Sequence, residues 1–66
     1  MQITINGQQE TIDDGLTVAA LLDARGLANK PCAVEVNRSL VPKAEHAGRE
    51  LREGDSLEIV TLVGGG

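Results

Sequence analysis

Apolar and polar residues alternate from the first position: Met1, Ile3 and Ile5 are separated by Gln2, Thr4 and Asn6. A period of two puts the apolar side chains on one face of a strand. Asn6-Gly7 follows, a pair that favours a type I′ hairpin turn because both central residues need positive φ. The return strand, over 8–12, is mostly polar. A two-residue loop would set Ile12 beside Met1 and Glu10 beside Ile3. Either Glu10 sits at an open edge of the apolar face, or a bulge shifts the register.

After the turn Asp13-Asp14-Gly15 the period changes. Val18, Leu21, Leu22 and Arg25 stand at i, i+3, i+4 and i+7, which predicts a helix over 18–25 with one stripe facing a sheet. Thr17 is a good N-cap, with Leu16 placed to staple onto Leu21. Gly26 suits the position after the C-cap, Leu27 can fold back on Leu22, and Arg25 sits where the helix dipole favours a cation. A strand is expected over 32–37, with Val34 and Val36 inward and Glu35 outward. Asn37-Arg38 turns it into a short partner, Ser39-Leu40-Val41, stopped by Pro42. Residues 43–47 can form one helical turn, and 50–55 read as a polar loop ending in a Gly-Asp turn. The last strand, over 56–62, faces Leu57 and Ile59 inward. Val60 and Leu62 then share the outward face with Glu58, an odd place for two large aliphatics.

The order is β-β-α-β-β-β, with the best apolar strands first and last. It predicts an α+β chain of β-grasp type: a mixed sheet of about five strands wraps one main helix, and the first and last strands run parallel, side by side, in its centre. The division expected is a folded domain over 1–62 and a glycine tail over 63–66.

Composition narrows the function classes. Sixty-six residues make one small domain, and with no Phe, Tyr or Trp its core must come from eighteen Leu, Ile and Val residues, Met1 and some alanines. A net charge of −4 without aromatics argues against nucleic acid, which calls for a basic stripe and stacking platforms. It suits a basic protein partner. No apolar run approaches a membrane span and no leader pattern precedes the first strand, so a cytoplasmic chain, monomeric when free, is expected.

Side-chain chemistry is sparse. Cys32 is the one cysteine and His46 the one histidine. A Cys–His nucleophile would need an orienting third group and a pocket. The plainer readings are a small buried hydrophobe for Cys32 and a solvated surface residue for His46. Asp13-Asp14 and Glu53-Gly54-Asp55 lack the spacing of a calcium loop and read as solvated turns. No metal or cofactor is expected to be bound, and no side chain is assigned a catalytic role.

What remains is Val63-Gly64-Gly65-Gly66. Glycines cannot pack, but they let a backbone pass closely through a narrow channel. These four residues reach ~13–14 Å when extended. Val60, Leu62 and Val63 form an apolar collar where the glycines leave the sheet, and exposed apolar patches mark partner surfaces. The carboxylate of Gly66 is a poor electrophile until it is adenylated, which requires a separate enzyme with an ATP site.

The chain resembles the ThiS family of sulfur carriers in thiamine biosynthesis, whose fold is the ubiquitin-like β-grasp. The resemblance covers all 66 residues. It rests on M-Q-I-x-I-N-G at the start, L-T-V-x-x-L-L at the helix start, A-V-E-V-N-x-x-x-V-P from Ala33 to Pro42, E-G-D from Glu53 to Asp55, and the terminal Gly-Gly. It implies a carrier rather than an enzyme. A ThiF-like adenylating enzyme would use ATP and magnesium to activate Gly66. A persulfide from a cysteine desulfurase route would displace AMP, and the thiocarboxylate would give its sulfur to thiazole synthase. Gly64, Gly65 and Gly66 would thread into the partner, with Val60, Leu62 and Val63 docking outside it. The glycine at position 64, just before the final pair, departs from the family's pattern and loosens the arm. Three other readings stay open: a sulfur carrier for the molybdenum cofactor, a ubiquitin-like modifier of lysines, and a β-grasp interaction module with an idle tail. The molybdenum carriers tend to be longer and to have core aromatics, which favours thiamine.

Overall fold

The computed structural model describes residues 1–62. Val63, Gly64, Gly65 and Gly66 lie outside the described residues. Five strands form one sheet: β1 (Gln2–Ile5), β2 (Gln8–Thr11), β3 (Cys32–Val36), β4 (Ser39–Val41) and β5 (Ser56–Thr61). Their order is β2-β1-β5-β3-β4. β1 and β5 run parallel and the other pairs antiparallel. One helix, α1 (Val18–Ala24), covers the apolar face, giving the β-grasp arrangement expected from the order of elements.

The first hairpin answers the register question. Asn6 and Gly7 both adopt positive φ, as a two-residue primed turn demands. Ile3 pairs with Glu10, Gln2 with Thr11, and no residue is inserted. Glu10 therefore shares the apolar face with Ile3, and Arg25 at the C-cap of α1 reaches it through two hydrogen bonds of 2.9 and 3.0 Å. An ion pair thus caps the core along the sheet's β2 edge, where an aliphatic side chain would meet water.

Helix α1 is set by its ends. Thr17 Oγ1 accepts from the Ala20 amide at 3.1 Å. At the other end Gly26 has φ +75, its amide donates to the Asp23 carbonyl at 3.0 Å, and the Leu27 amide donates to Leu22 at 2.8 Å. This is the Schellman pattern, which pairs carbonyls that the end of a helix otherwise leaves open. Val18, Leu21 and Leu22 are buried against Ile3, Ile5, Val34, Val36, Val41, Leu51 and Leu57, with Leu16 and Leu27 packed at the margin.

The segment from 43 to 55 departs most from its sequence pattern. It opens with the expected single turn, a 3-10 helix at Lys43–Glu45. His46, expected in solvent, is buried at 7% exposure, with Nε2 donating to the Val41 carbonyl at 3.0 Å. Its own carbonyl accepts from the Ala19 amide at 3.0 Å, and the Arg49 carbonyl accepts from Val18 at 2.9 Å. The segment thus satisfies amides in the first turn of α1 that have no partner inside the helix. Leu51, in a stretch that reads as polar loop, is buried at 2% and its amide bonds the Leu16 carbonyl. Asp55, expected to be solvated, is also buried. Each is held by at least one residue of another element or segment, Val41 and Ala19 for His46, Leu16 for Leu51 and Asn37 for Asp55, so no local period reveals the burial.

Candidate functional site

The candidate site is the end of β5 and the sheet surface around it. β5, the longest strand, is held on both sides: β1 pairs with its first residues, and β3 follows it from Leu57 to Thr61. Asn6 extends the β1 side, with Oδ1 accepting from the Ile59 amide at 2.8 Å and Nδ2 donating to the Ile59 carbonyl at 3.2 Å. The Leu62 amide then donates to the Pro31 carbonyl at 2.8 Å. The backbone is therefore anchored up to the last described residue. This makes a fixed base for whatever follows.

A polar lock sets the start of β5. Asp55 Oδ2 accepts from the Arg52 amide at 2.8 Å, and Oδ1 accepts from Asn37 Nδ2 at 3.0 Å. Asn37 Oδ1 accepts in turn from the Ser56 amide at 3.0 Å. The β3–β4 turn and the entry to β5 are thereby tied together. Sequence reasoning missed this. The signal available was Asn37 beside Arg38 in a tight turn, where both residues adopt positive φ.

Alternation along β5 buries Leu57 completely and half-buries Ile59, while Val60 and Leu62 face outward at 55% and 52% exposure. Leu40, at 64%, is the third large exposed aliphatic among the described residues. Val60 pairs with Ala33, Glu58 with Glu35, and Glu35 with Leu40, so these residues share the outer face. Of the collar Val60, Leu62 and Val63, the first two are thus exposed at the end of β5. Val63 and the tail positions Gly64, Gly65 and Gly66 lie outside the described residues.

Cys32 is half-buried at the start of β3, opposite Thr61. It lines a small crevice together with His46, Leu22, Leu27, Ala28, Lys30 and Lys43. The His46 ring bonds the Val41 carbonyl through Nε2, and among the described residues it forms no hydrogen bond with Cys32, so the two are not arranged as a nucleophile and its base. Among the described residues no group of three or more His, Cys, Asp or Glu side chains is placed to hold a metal ion. No helix among them is long and apolar enough to cross a membrane.

Residues 3–66 match the model of the ThiS family. The chain belongs to the ThiS family. The match extends through Gly66. The crystal structure of a thiamine biosynthesis protein (ThiS) from Geobacter metallireducens is similar over the whole of both chains, with a TM-score of 0.84 and 30% identity. A thiazole synthase of Paramagnetospirillum magneticum is 41% identical over the 66 residues, and one of Magnetococcus marinus 35%. The chain spans only 20% of the length of each, so in both a ThiS-like stretch belongs to a much longer polypeptide. A protein of similar length, the uncharacterized protein ycf40 of Porphyra purpurea, is 30% identical, with 93% of it covered.

Proposed function

We propose that this ThiS-family chain carries sulfur for formation of the thiamine thiazole ring, with the carboxylate of Gly66 as the group that is activated and loaded. The observation that carries this reading is the conjunction at the end of β5: a backbone anchored up to Leu62, on a surface where Val60 and Leu62 are exposed, is followed in the sequence by Val63-Gly64-Gly65-Gly66. A glycine arm on a fixed base suits a substrate that another enzyme must thread. In this reading residues 1–62 are the domain that docks and 63–66 the arm that enters.

The Gly66 carboxylate attacks the α-phosphate of ATP bound with magnesium to a ThiF-like enzyme, and pyrophosphate leaves. A persulfide from a cysteine desulfurase route displaces AMP to give an acyl disulfide. A thiol then attacks the donor's sulfur and the S–S bond breaks, leaving the donor and that thiol as a disulfide. Gly66 ends as a thiocarboxylate that passes sulfur to thiazole synthase. All catalytic groups for these steps belong to the partners. Thiamine is favoured over the molybdenum cofactor by the likeness to the Geobacter thiamine biosynthesis protein and to proteins called thiazole synthase.

The test is intact mass after incubation with the ThiF-like enzyme, ATP, magnesium and a sulfur donor. The expected product is heavier by the exchange of one oxygen for sulfur, localised to Gly66. A chain lacking Gly66 should gain nothing. Absence of both adenylate and thiocarboxylate on the full chain overturns the proposal.

A further inference from the structure

The bonds from β1 to β5 continue past the point where β1 itself ends. The Thr4 amide donates to the Asp55 carbonyl and the Asn6 amide to the Leu57 carbonyl, each at 2.9 Å, in the even step of a parallel ladder. The next groups in line would be the main-chain carbonyl of Asn6 and the amide of Gln8. The chain reverses there instead: Asn6 has φ +49 and Gly7 φ +82, and Gln8 pairs with Ile5 across the hairpin. The Asn6 side chain fills both places. Its Oδ1 accepts from the Ile59 amide at 2.8 Å, and its Nδ2 donates to the Ile59 carbonyl at 3.2 Å. A primary amide carries the donor and the acceptor of a peptide group, so it prolongs the ladder by a further step. Among the described residues these are the last bonds that reach β5 from the β1 side.

Two separate demands meet at this position. The turn needs a residue that tolerates the left-handed region, which Gly, Asn and Asp do most readily. The ladder needs a donor and an acceptor together on a short stem. Of the three, only asparagine supplies both, since glycine has no side chain and an ionised aspartate only accepts. On the other side of β5 the pairing with β3 runs on to Thr61, and the Leu62 amide donates to the Pro31 carbonyl. Asn6 therefore makes Ile59 the last point at which β5 is gripped from both sides. Without that grip the end of the strand hangs on β3 alone and can twist about that edge.

We propose that Asn6 is a positioning residue for activation of the arm: by clamping Ile59 it fixes the direction in which the chain leaves the sheet, and so where the Gly66 carboxylate arrives in the adenylating enzyme. The inference rests on the reading of the chain as an adenylation substrate. Asn6 touches no reacting atom and acts through β5. Its effect therefore belongs in the turnover of bound carrier, not in the binding. Val60 and Leu62 stay on the surface when the grip on Ile59 is lost, because β3 still pairs with β5 as far as Thr61. What is lost is angular restraint on the base of the arm. A reacting group misplaced by ~1 Å can cost about 100-fold in rate.

The experiment measures carrier-dependent ATP–pyrophosphate exchange by the ThiF-like enzyme, with the full chain as the varied substrate, at a temperature where melting curves show the variants folded. Wild type is compared with Asn6→Gly, Asn6→Asp and Thr17→Ala. Asn6→Gly suits the turn but removes both bonds to Ile59. It should lower kcat threefold or more, keep KM within twofold of wild type, and speed hydrogen exchange at the Ile59 amide. Asn6→Asp keeps an acceptor for that amide but sets a carboxylate against the Ile59 carbonyl, so kcat should again fall threefold or more; this variant decides alone should Asn6→Gly not fold. Thr17→Ala loses the helix cap and tests stability by itself, so its kcat should stay within twofold. A smaller fall of kcat in Asn6→Gly, or in Asn6→Asp where that variant decides, overturns the inference and leaves the carrier reading standing. So does an Asn6 effect confined to KM, or a fall of kcat in Thr17→Ala as large as in the Asn6 variants. Wild type that supports no exchange removes the carrier reading, and this inference with it.

Discussion

Asp55→Ala is the substitution whose effect the structure specifies best. The carboxylate is buried, accepting from the Arg52 amide at 2.8 Å and from Asn37 Nδ2 at 3.0 Å. Hydrogen bonds to a charged group contribute about 1.5–3 kcal/mol each when one partner is removed. Asn37 is exposed, so its freed amide recovers much of that by bonding water, while the Arg52 amide is held in a part-buried turn. The net cost is then about 2–3 kcal/mol, set against a total stability of roughly 3–10 kcal/mol for a domain of this size. That corresponds to a fall in melting temperature of roughly 8–24 °C. Asp55→Asn should fall between the two, because one oxygen can still accept from Arg52 while its amide faces the Asn37 amide, donor against donor. The assay is thermal melting followed by circular dichroism, with Asn37→Ala and the double variant completing a cycle. A strongly non-additive double variant is expected, since both residues belong to one network. If Asp55→Ala melts within about 3 °C of wild type, the lock between the β3–β4 turn and β5 carries no stability and the reasoning fails.

Three further substitutions probe other parts of the molecule. His46→Ala should destabilise by about 2–3 kcal/mol through the lost bond to Val41 and the space left behind, with faster hydrogen exchange at the Ala19 amide; unchanged exchange there would separate the ring from the support of α1. Arg38→Gly should stabilise by about 0.5–1 kcal/mol, read from the urea midpoint, because glycine takes positive φ without the penalty that a side chain brings; a lower midpoint would mean that the arginine makes compensating contacts. Leu62→Glu should leave stability within about 0.5 kcal/mol, since the side chain is half exposed, yet weaken binding to the adenylating enzyme markedly; normal binding would take Leu62 out of the docking surface.

Most of the candidate site is legible before any fold is known. Strand alternation alone puts Val60 and Leu62 on the outward face with Glu58, and the motifs point to Gly66. What alternation cannot supply is which residue of another strand stands opposite. The facing of Glu58 by Glu35, and of Glu35 by Leu40, follows from two registers that depend on the whole sheet.

The sequence by itself determined the elements and their ends. The Asn6-Gly7 turn, the Thr17 cap, the Gly26 stop and the inward sets of β1, β3 and β5 follow from local sterics, local hydrogen bonds and periodicity, each readable within a few residues. The tertiary structure alone decided what the polar residues do. Glu10 reads as a misplaced charge until Arg25 arrives from the end of α1. His46, Leu51 and Asp55 read as loop until their partners Val41, Leu16 and Asn37 are brought beside them. Burial of a polar group is tolerated only where a partner waits, and here that partner comes from another element, so the outcome belongs to the fold and not to the stretch.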